Sequence, residues 1–159
     1  MNATNVIDVH LRPVTLDNLA QCLALRVSNA QTHLVASTAK SLAEAKVNAN
    51  LHSLAIYDGA ARGYEHPTVP VIGFAMYELA AGVGFIQRLL IDQSQQGRGY
   101  GKAAMIEMIR RLRLHPEVEM IATSYRRENE IAAKLYAGLG FVPWPLATLP
   151  GEEVFVRLP

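Results

Sequence analysis

Apolar residues recur along this chain in two periods, and the switches between them predict the layout. Val9-His10-Leu11-Arg12 alternates as a strand. Thr15 then reads as a helix cap, with Leu16, Leu19, Leu23 and Val27 on one buried face. A second short helix is expected from about Ser41, because Ser41-x-x-Glu44 has the form of a capping box. Leu54-Ala55-Ile56-Tyr57 is a strand stopped by the turn signal Asp58-Gly59. Residues 60–70, with Gly63, Pro67 and Pro70, form a longer loop. Strands follow over 71–79 and 85–91, joined by a turn at Gly82 and Gly84. Met105, Ile106, Ile109 and Leu112 have helical spacing, and 120–124 is again a strand. Asn129 is a natural N-cap for a helix presenting Ile131, Ala132, Leu135, Tyr136 and Leu139, with Gly140 suited to end it. A strand over 154–158 closes the sheet. The order β-α-α-β-β-β-α-β-α-β predicts a mixed α/β fold: about six to seven strands, helices on both faces, and residues 1–159 as a single domain.

The stretch Gln96-Gly97-Arg98-Gly99-Tyr100-Gly101-Lys102 stands between a strand and a helix. Glycines there let the backbone approach a ligand, and the first amides of a helix have no internal partners. Together with the positive helix end they form an anion site. Arg98 and Lys102 are disfavoured at that end unless a polyanion joins them, so a phosphate or pyrophosphate ligand is inferred.

Three phosphate-binding patterns compete. A P-loop requires Ser or Thr after Gly-Lys, but Ala103 follows Lys102, and Gln96 falls where the first glycine belongs. The dinucleotide fingerprint G-x-G-x-x-A is matched from Gly99 to Ala104, with Glu119 about 20 residues on. There, however, the glycines should follow the strand directly, and here residues 93–98 intervene. The third pattern, Q-x-x-G-x-G, is met by Gln96, Gly99 and Gly101.

At these residues the chain resembles the GNAT superfamily of N-acetyltransferases. A second signature of that family, asparagine, alanine, tyrosine and glycine-phenylalanine, matches Asn129, Ala132, Tyr136 and Gly140-Phe141. Around these motifs, Phe74-Ala75-Met76-Tyr77, Arg88 to Asp92, Ser37-Thr38 and Gly151 to Val154 look like bacterial spermine/spermidine-type acetyltransferases. The resemblance implies acetyl-CoA as co-substrate, with Gln96, Gly97, Arg98, Gly99, Tyr100, Gly101 and Lys102 around its pyrophosphate. It implies Asn129 and Ala132 along the pantetheine arm, and Tyr136 near the sulfur as general acid. Backbone amides of Leu90 and Ile91 are expected to bind the pantetheine and polarise the thioester carbonyl.

The expected reaction is direct acetyl transfer to a primary amine of a small molecule. An alkyl amine of pKa about 10.4 is almost wholly protonated at neutral pH, so the site must supply a base, directly or through water. Glu78, at a strand end, is the candidate, with Asp92 the more structural alternative. His33, Leu34 and Tyr77, with the loop 60–70, are expected on the acceptor side. A polyamine calls for acidic walls, yet no acidic residue lies between Asp17 and Glu44, and Ala36 precedes the Ser-Thr pair. A peptide or protein amine is the alternative acceptor, and a non-catalytic acetyl-CoA-binding sensor the alternative class.

Composition narrows the rest. Half the residues are hydrophobic and 18% are charged, as in a globular protein. A net charge of +1 argues against nonspecific nucleic-acid binding. Cys22 is alone and reads as a packed thiol, and the five histidines lack metal-ligand spacing, so no metal is expected. Without a signal peptide or a spanning apolar run, the expected location is the cytoplasm, with no membrane partner. A homodimer is compatible with the family resemblance.

Overall fold

The computed structural model of the chain describes residues 7–32, 34, 36–62, 68–145 and 153–159. His33, residues 63–67 of the expected loop, and Gly151-Glu152 lie outside the described residues. The elements are β1 (Val9–Pro13), α1 (Leu19–Ala24), α2 (Thr38–Val47), β2 (Leu51–Asp58), β3 (Gly73–Ala80) and β4 (Val83–Ile91). They continue with α3 (Tyr100–Arg113), β5 (Met120–Arg126), α4 (Glu130–Gly138), β6 (Val142–Pro143) and β7 (Glu153–Arg157).

Seven strands form one mixed sheet in the order β1-β2-β3-β4-β5-β7-β6. All neighbours are antiparallel except β4 and β5, which are parallel and joined by the α3 crossover. Helices cover both faces. On one, Ala104, Met105, Met108 and Leu112 of α3 pack with Val9, Leu11, Ile56 and Ile86, and Tyr136 of α4 joins them. On the other, Cys22 and Leu25 pack with Tyr57, Phe74 and Met76, with Leu42 and Ala45 of α2 against them. No helix among the described residues is long and apolar enough to cross a membrane.

Three local expectations are corrected. The first helix is only six residues long, and Leu16 and Leu23 are exposed; Cys22 and Leu25 fill the core instead. The reason is Asn18, whose amide accepts from Thr15 N and donates to Pro13 O and the Tyr57 hydroxyl, fixing a turn where the helix was expected to begin. The second helix starts a turn early. Ser37 caps it by accepting from Lys40 N at 3.2 Å, and Ser41 is buried inside it, donating to Ser37 O. Finally, β7 does not lie at the sheet edge, because the two-residue β6 pairs beyond it.

Two irregularities disturb β4. Tyr77 pairs with Ile86 but Met76 pairs with Arg88, so Gln87 is an extra residue, a β-bulge. Ile86 and Leu89 therefore share one core although they are three residues apart, while Leu90 faces the other. In addition, the β4–β5 ladder stops at Ile86 and Thr123 although both strands run on. At that point Thr123 Oγ1, fully buried, donates to Ile86 O at 2.8 Å and satisfies a carbonyl the ladder abandons. Beyond it the strands part.

Candidate active site

The parting opens a cleft of about 750 Å³ between the α1–α2 segment, the outer half of β4, the glycine turn, β5 and α4. It brings together Leu34, Leu90, Ile91, Gln96, Gly97, Gly99, Tyr100, Gly101, Lys102, Asn129, Ala132 and Tyr136. These come from four separated stretches of sequence. Arg98 is exposed and not on the lining; its charge lies close enough to Tyr100 to favour that phenol's ionisation.

The glycine turn is held at both ends. Asp92, at the end of β4, accepts from Arg26 N at 2.9 Å and from Ser94 N at 3.1 Å. Partial burial alone would raise its pKa, but these bonds and that of the Ser94 hydroxyl outweigh it and keep the carboxyl below its usual range. Asp92 thus staples β4 to the segment after α1. Gln96 donates to Ile91 O and to the Gln31 side chain, both at 3.0 Å, tying the loop to the cleft's two walls.

Gly97 and Gly99 have φ of +79° and +92°, a region costly for side chains. Gly99 is the N-cap of α3, and the first helical bond runs from Ala103 N to Gly99 O. The amides of Tyr100, Gly101 and Lys102 are therefore free of intrahelical partners and stand at the positive end of a 14-residue helix. Tyr100 turns its ring into the core and donates its hydroxyl to Asp58 at the end of β2. That bond holds Asp58 below its usual pKa and raises the phenol's.

Asn129 caps α4 by accepting from Ala132 N at 3.2 Å. One turn on, Tyr136 is buried beside Tyr125 and Phe141, with ring centroids 6.0 and 5.7 Å away. Burial raises its pKa, and a hydrogen bond with Thr123 opposes this in part. Tyr136 thus stays protonated at neutral pH at the point where β4 and β5 separate.

Two expected residues stand elsewhere. Tyr77 points into the α3 core, stacked on His52 at 5.0 Å and near His115. Glu78, at the far end of β3, is held by Asn48 Nδ2 at 3.4 Å and is not on the cleft lining. Neighbours on one strand face opposite sides, so Tyr77 enters the α3 core while Glu78 turns to the other face beside Asn48, and both pair with β4 at or before Ile86, away from the parted strands. The residues that sequence reasoning missed are Gln87, Arg88, Thr123 and Lys40, all on the lining. The first two left a signal, a polar pair breaking the apolar run of β4. Among the described residues no three His, Cys, Asp or Glu side chains cluster as a metal site.

A sheet parted beside a glycine turn and a helix N-terminus makes a cleft suited to an extended ligand with an anionic end. The profile of the acetyltransferase (GNAT) family matches residues 28–141, and the chain belongs to that family of acetyl-CoA-dependent N-acetyltransferases. It is 30% identical over 157 residues to a spermine/spermidine N(1)-acetyltransferase of Bacillus subtilis, covering 94% of this chain and 97% of the relative. Its fold matches a PaiA N-acetyltransferase of Thermoplasma acidophilum in complex with coenzyme A, with a TM-score of 0.68 at 12% identity, covering 95% and 98% of the two chains. It also matches the ribosomal-protein-S18-alanine N-acetyltransferase of Escherichia coli, with a TM-score of 0.66 at 16% identity, covering 95% and 93%.

Proposed function

We propose that this protein uses acetyl-CoA to acetylate a primary amine of a small molecule by direct transfer, with Tyr136 as the general acid. The observation that carries this reading is the buried Tyr136 at the head of the opening between β4 and β5, in one cleft with the glycine turn. The free amides of residues 100–102 and the Lys102 ammonium hold the pyrophosphate. The β4 edge beyond Ile86, which β5 leaves unpaired, offers the Ile91 amide to the pantetheine or the thioester oxygen, whereas the Leu90 backbone, opposite Phe74, faces β3. The co-substrate supplies an activated acyl group. As the amine nitrogen bonds to the carbonyl carbon, the carbon–sulfur bond breaks and Tyr136 gives its proton to the leaving sulfur. The amine's proton leaves through water, since Glu78 stands outside the cleft. A polyamine is the reference acceptor because the Bacillus subtilis relative is named for spermine and spermidine.

The test is thermal unfolding with acetyl-CoA, CoA and NAD, followed by thiol release with a panel of amines including spermidine. At 100 times its dissociation constant a native-state ligand stabilises by about 2.7 kcal/mol, easily seen in a melt. Stabilisation by acetyl-CoA but not NAD, with amine-dependent thiol release, is the expected result. Binding without turnover for every amine makes the protein a sensor, and no binding sinks the reading.

A further inference from the structure

Among the described residues, three buried side-chain polar atoms have no hydrogen-bond partner: Thr38 Oγ1, Gln87 Oε1 and Arg88 Nε. Two of the three are neighbours on the β4 bulge, and both residues line the cleft. An unmatched acceptor beside an unmatched cationic donor is a costly arrangement in a fold unless a ligand completes it.

Arg88 is held in place from behind. Its Nη1 donates to Gln87 O at 2.9 Å, and its Nη2 meets Glu44 at 3.2 Å. Glu44 is not on the cleft lining, so the carboxylate orients the guanidinium without facing the opening. Lys40 lies 4.0 Å from the same carboxylate, is largely exposed and does line the cleft. One carboxylate thus serves two cations. The described lining holds four cations, Lys40, Arg88, Lys102 and Arg126, against one carboxylate, Glu153. With Lys102 given to the pyrophosphate, Lys40 and Arg88 are the cations beside the bulge, and no carboxylate on the described lining there faces a polycationic acceptor.

Building on the acetyltransferase reading, we infer that the acceptor is an amine that also bears a carboxylate, an amino-acid-like zwitterion. Its carboxylate pairs with Arg88, with Lys40 at the mouth, and an N–H donates to Gln87 Oε1. Arg88 stands three residues before Ile91 on the same strand, so the proposed carboxylate subsite and the thioester site share one wall of the cleft, and the two amino acids of the test differ in the spacing they span.

The test compares initial rates of thiol release, at saturating acetyl-CoA, for amines matched with and without the charge. The pairs are alanine with alaninamide and 4-aminobutanoate with 4-aminobutanamide, and spermidine is the reference polycation. A charge-assisted hydrogen bond predicts kcat/KM about tenfold or more higher for the carboxylate member of at least one pair. Arg88→Gln brings that ratio close to one, and Arg88→Lys restores part of it. Lys40→Ala, at an exposed position where folding is not at risk, lowers the ratio by about threefold. Ratios of one or below in the unaltered protein, or a ratio that a folded Arg88→Gln variant leaves unchanged, overturn the inference. Rapid use of spermidine with neglect of both amino acids overturns it while leaving the acetyltransferase reading intact. No turnover with any amine overturns both.

Discussion

The two halves of the cleft are built by different means. The half proposed for the donor is made of continuous local pieces: a strand end, a glycine turn, the first turn of α3, and α4 with its own cap. The half proposed for the acceptor is made of distant ones: the segment between α1 and α2, and a bulge whose Arg88 is held by Glu44, 44 residues away in sequence. A half built locally keeps its chemistry in motifs. A half built from long-range contacts leaves no such motif.

The largest effect that separates the halves comes from Tyr136→Phe. The ring and its packing on Phe141 and Tyr125 remain, and only the proton is lost. The kcat falls about 100-fold while the dissociation constant for acetyl-CoA stays within about twofold, by single-turnover kinetics and calorimetry. Equal losses in both place the phenol in binding rather than proton transfer.

Gly99→Ala comes next. A Cβ there meets Ile7 only at 3.8 Å, so the penalty is conformational, set by the φ of +92°. A left-handed alanine costs about 1–2 kcal/mol, and the loop is expected to relax away from it. Acetyl-CoA affinity then falls about tenfold by calorimetry, with no change in preference among amines. An altered amine preference breaks the division between the halves.

A smaller effect lies in Tyr100→Phe and depends on pH. Asp58 has a lowered pKa in the fold, so its contribution is present above the unfolded value and is lost as pH falls through the folded one. Tyr100 has a raised pKa, so its contribution is present below its unfolded value and lost as the solution becomes strongly alkaline. The variant should melt about 2–3 °C lower at neutral pH, a modest shift because the pair is partly solvated. The gap closes below about pH 4 and above about pH 10. A gap that persists unchanged well below pH 4 and well above pH 10 removes the ion–phenol bond as its cause.

The smallest effect lies outside the cleft, at the entry to α1. Leu16 fits a buried helical face by spacing but is 90% exposed. Leu16→Ser should change stability by less than about 0.5 kcal/mol in denaturant unfolding. A larger loss would return Leu16 to the core.

That contrast between spacing and burial shows what was legible in the sequence and why. The element order, helices on both faces, the glycine turn and the Asn129 cap follow from period and local chemistry, which short windows carry. Leu16 and Ser41 misled because the deciding partners are remote or compete locally. Asn18 reaches Pro13 and Tyr57, and Ser37 takes the capping role one turn earlier. Tyr77 and Glu78 were misplaced for a similar reason. Where along β3 the cleft opens depends on where β4 parts from β5, a long-range event that no short window carries, and a bulge is only faintly written as Gln87-Arg88 within an apolar run. Thr123 carried no signal, because its role exists only where two strands, distant in sequence, stop pairing.

The bulge also sets how this protein is able to vary. It is a phase marker in β4: residues 83–86 keep one alternation of sides and residues 88–91 keep the other. Substitutions on either side leave the phase intact. Deleting Gln87, or adding one residue beside it, reverses every side chain from there to Asp92 and drives Leu89 and Leu90 into each other's cores. New acceptors are therefore reached by exchanging side chains at the bulge and never by changing its length.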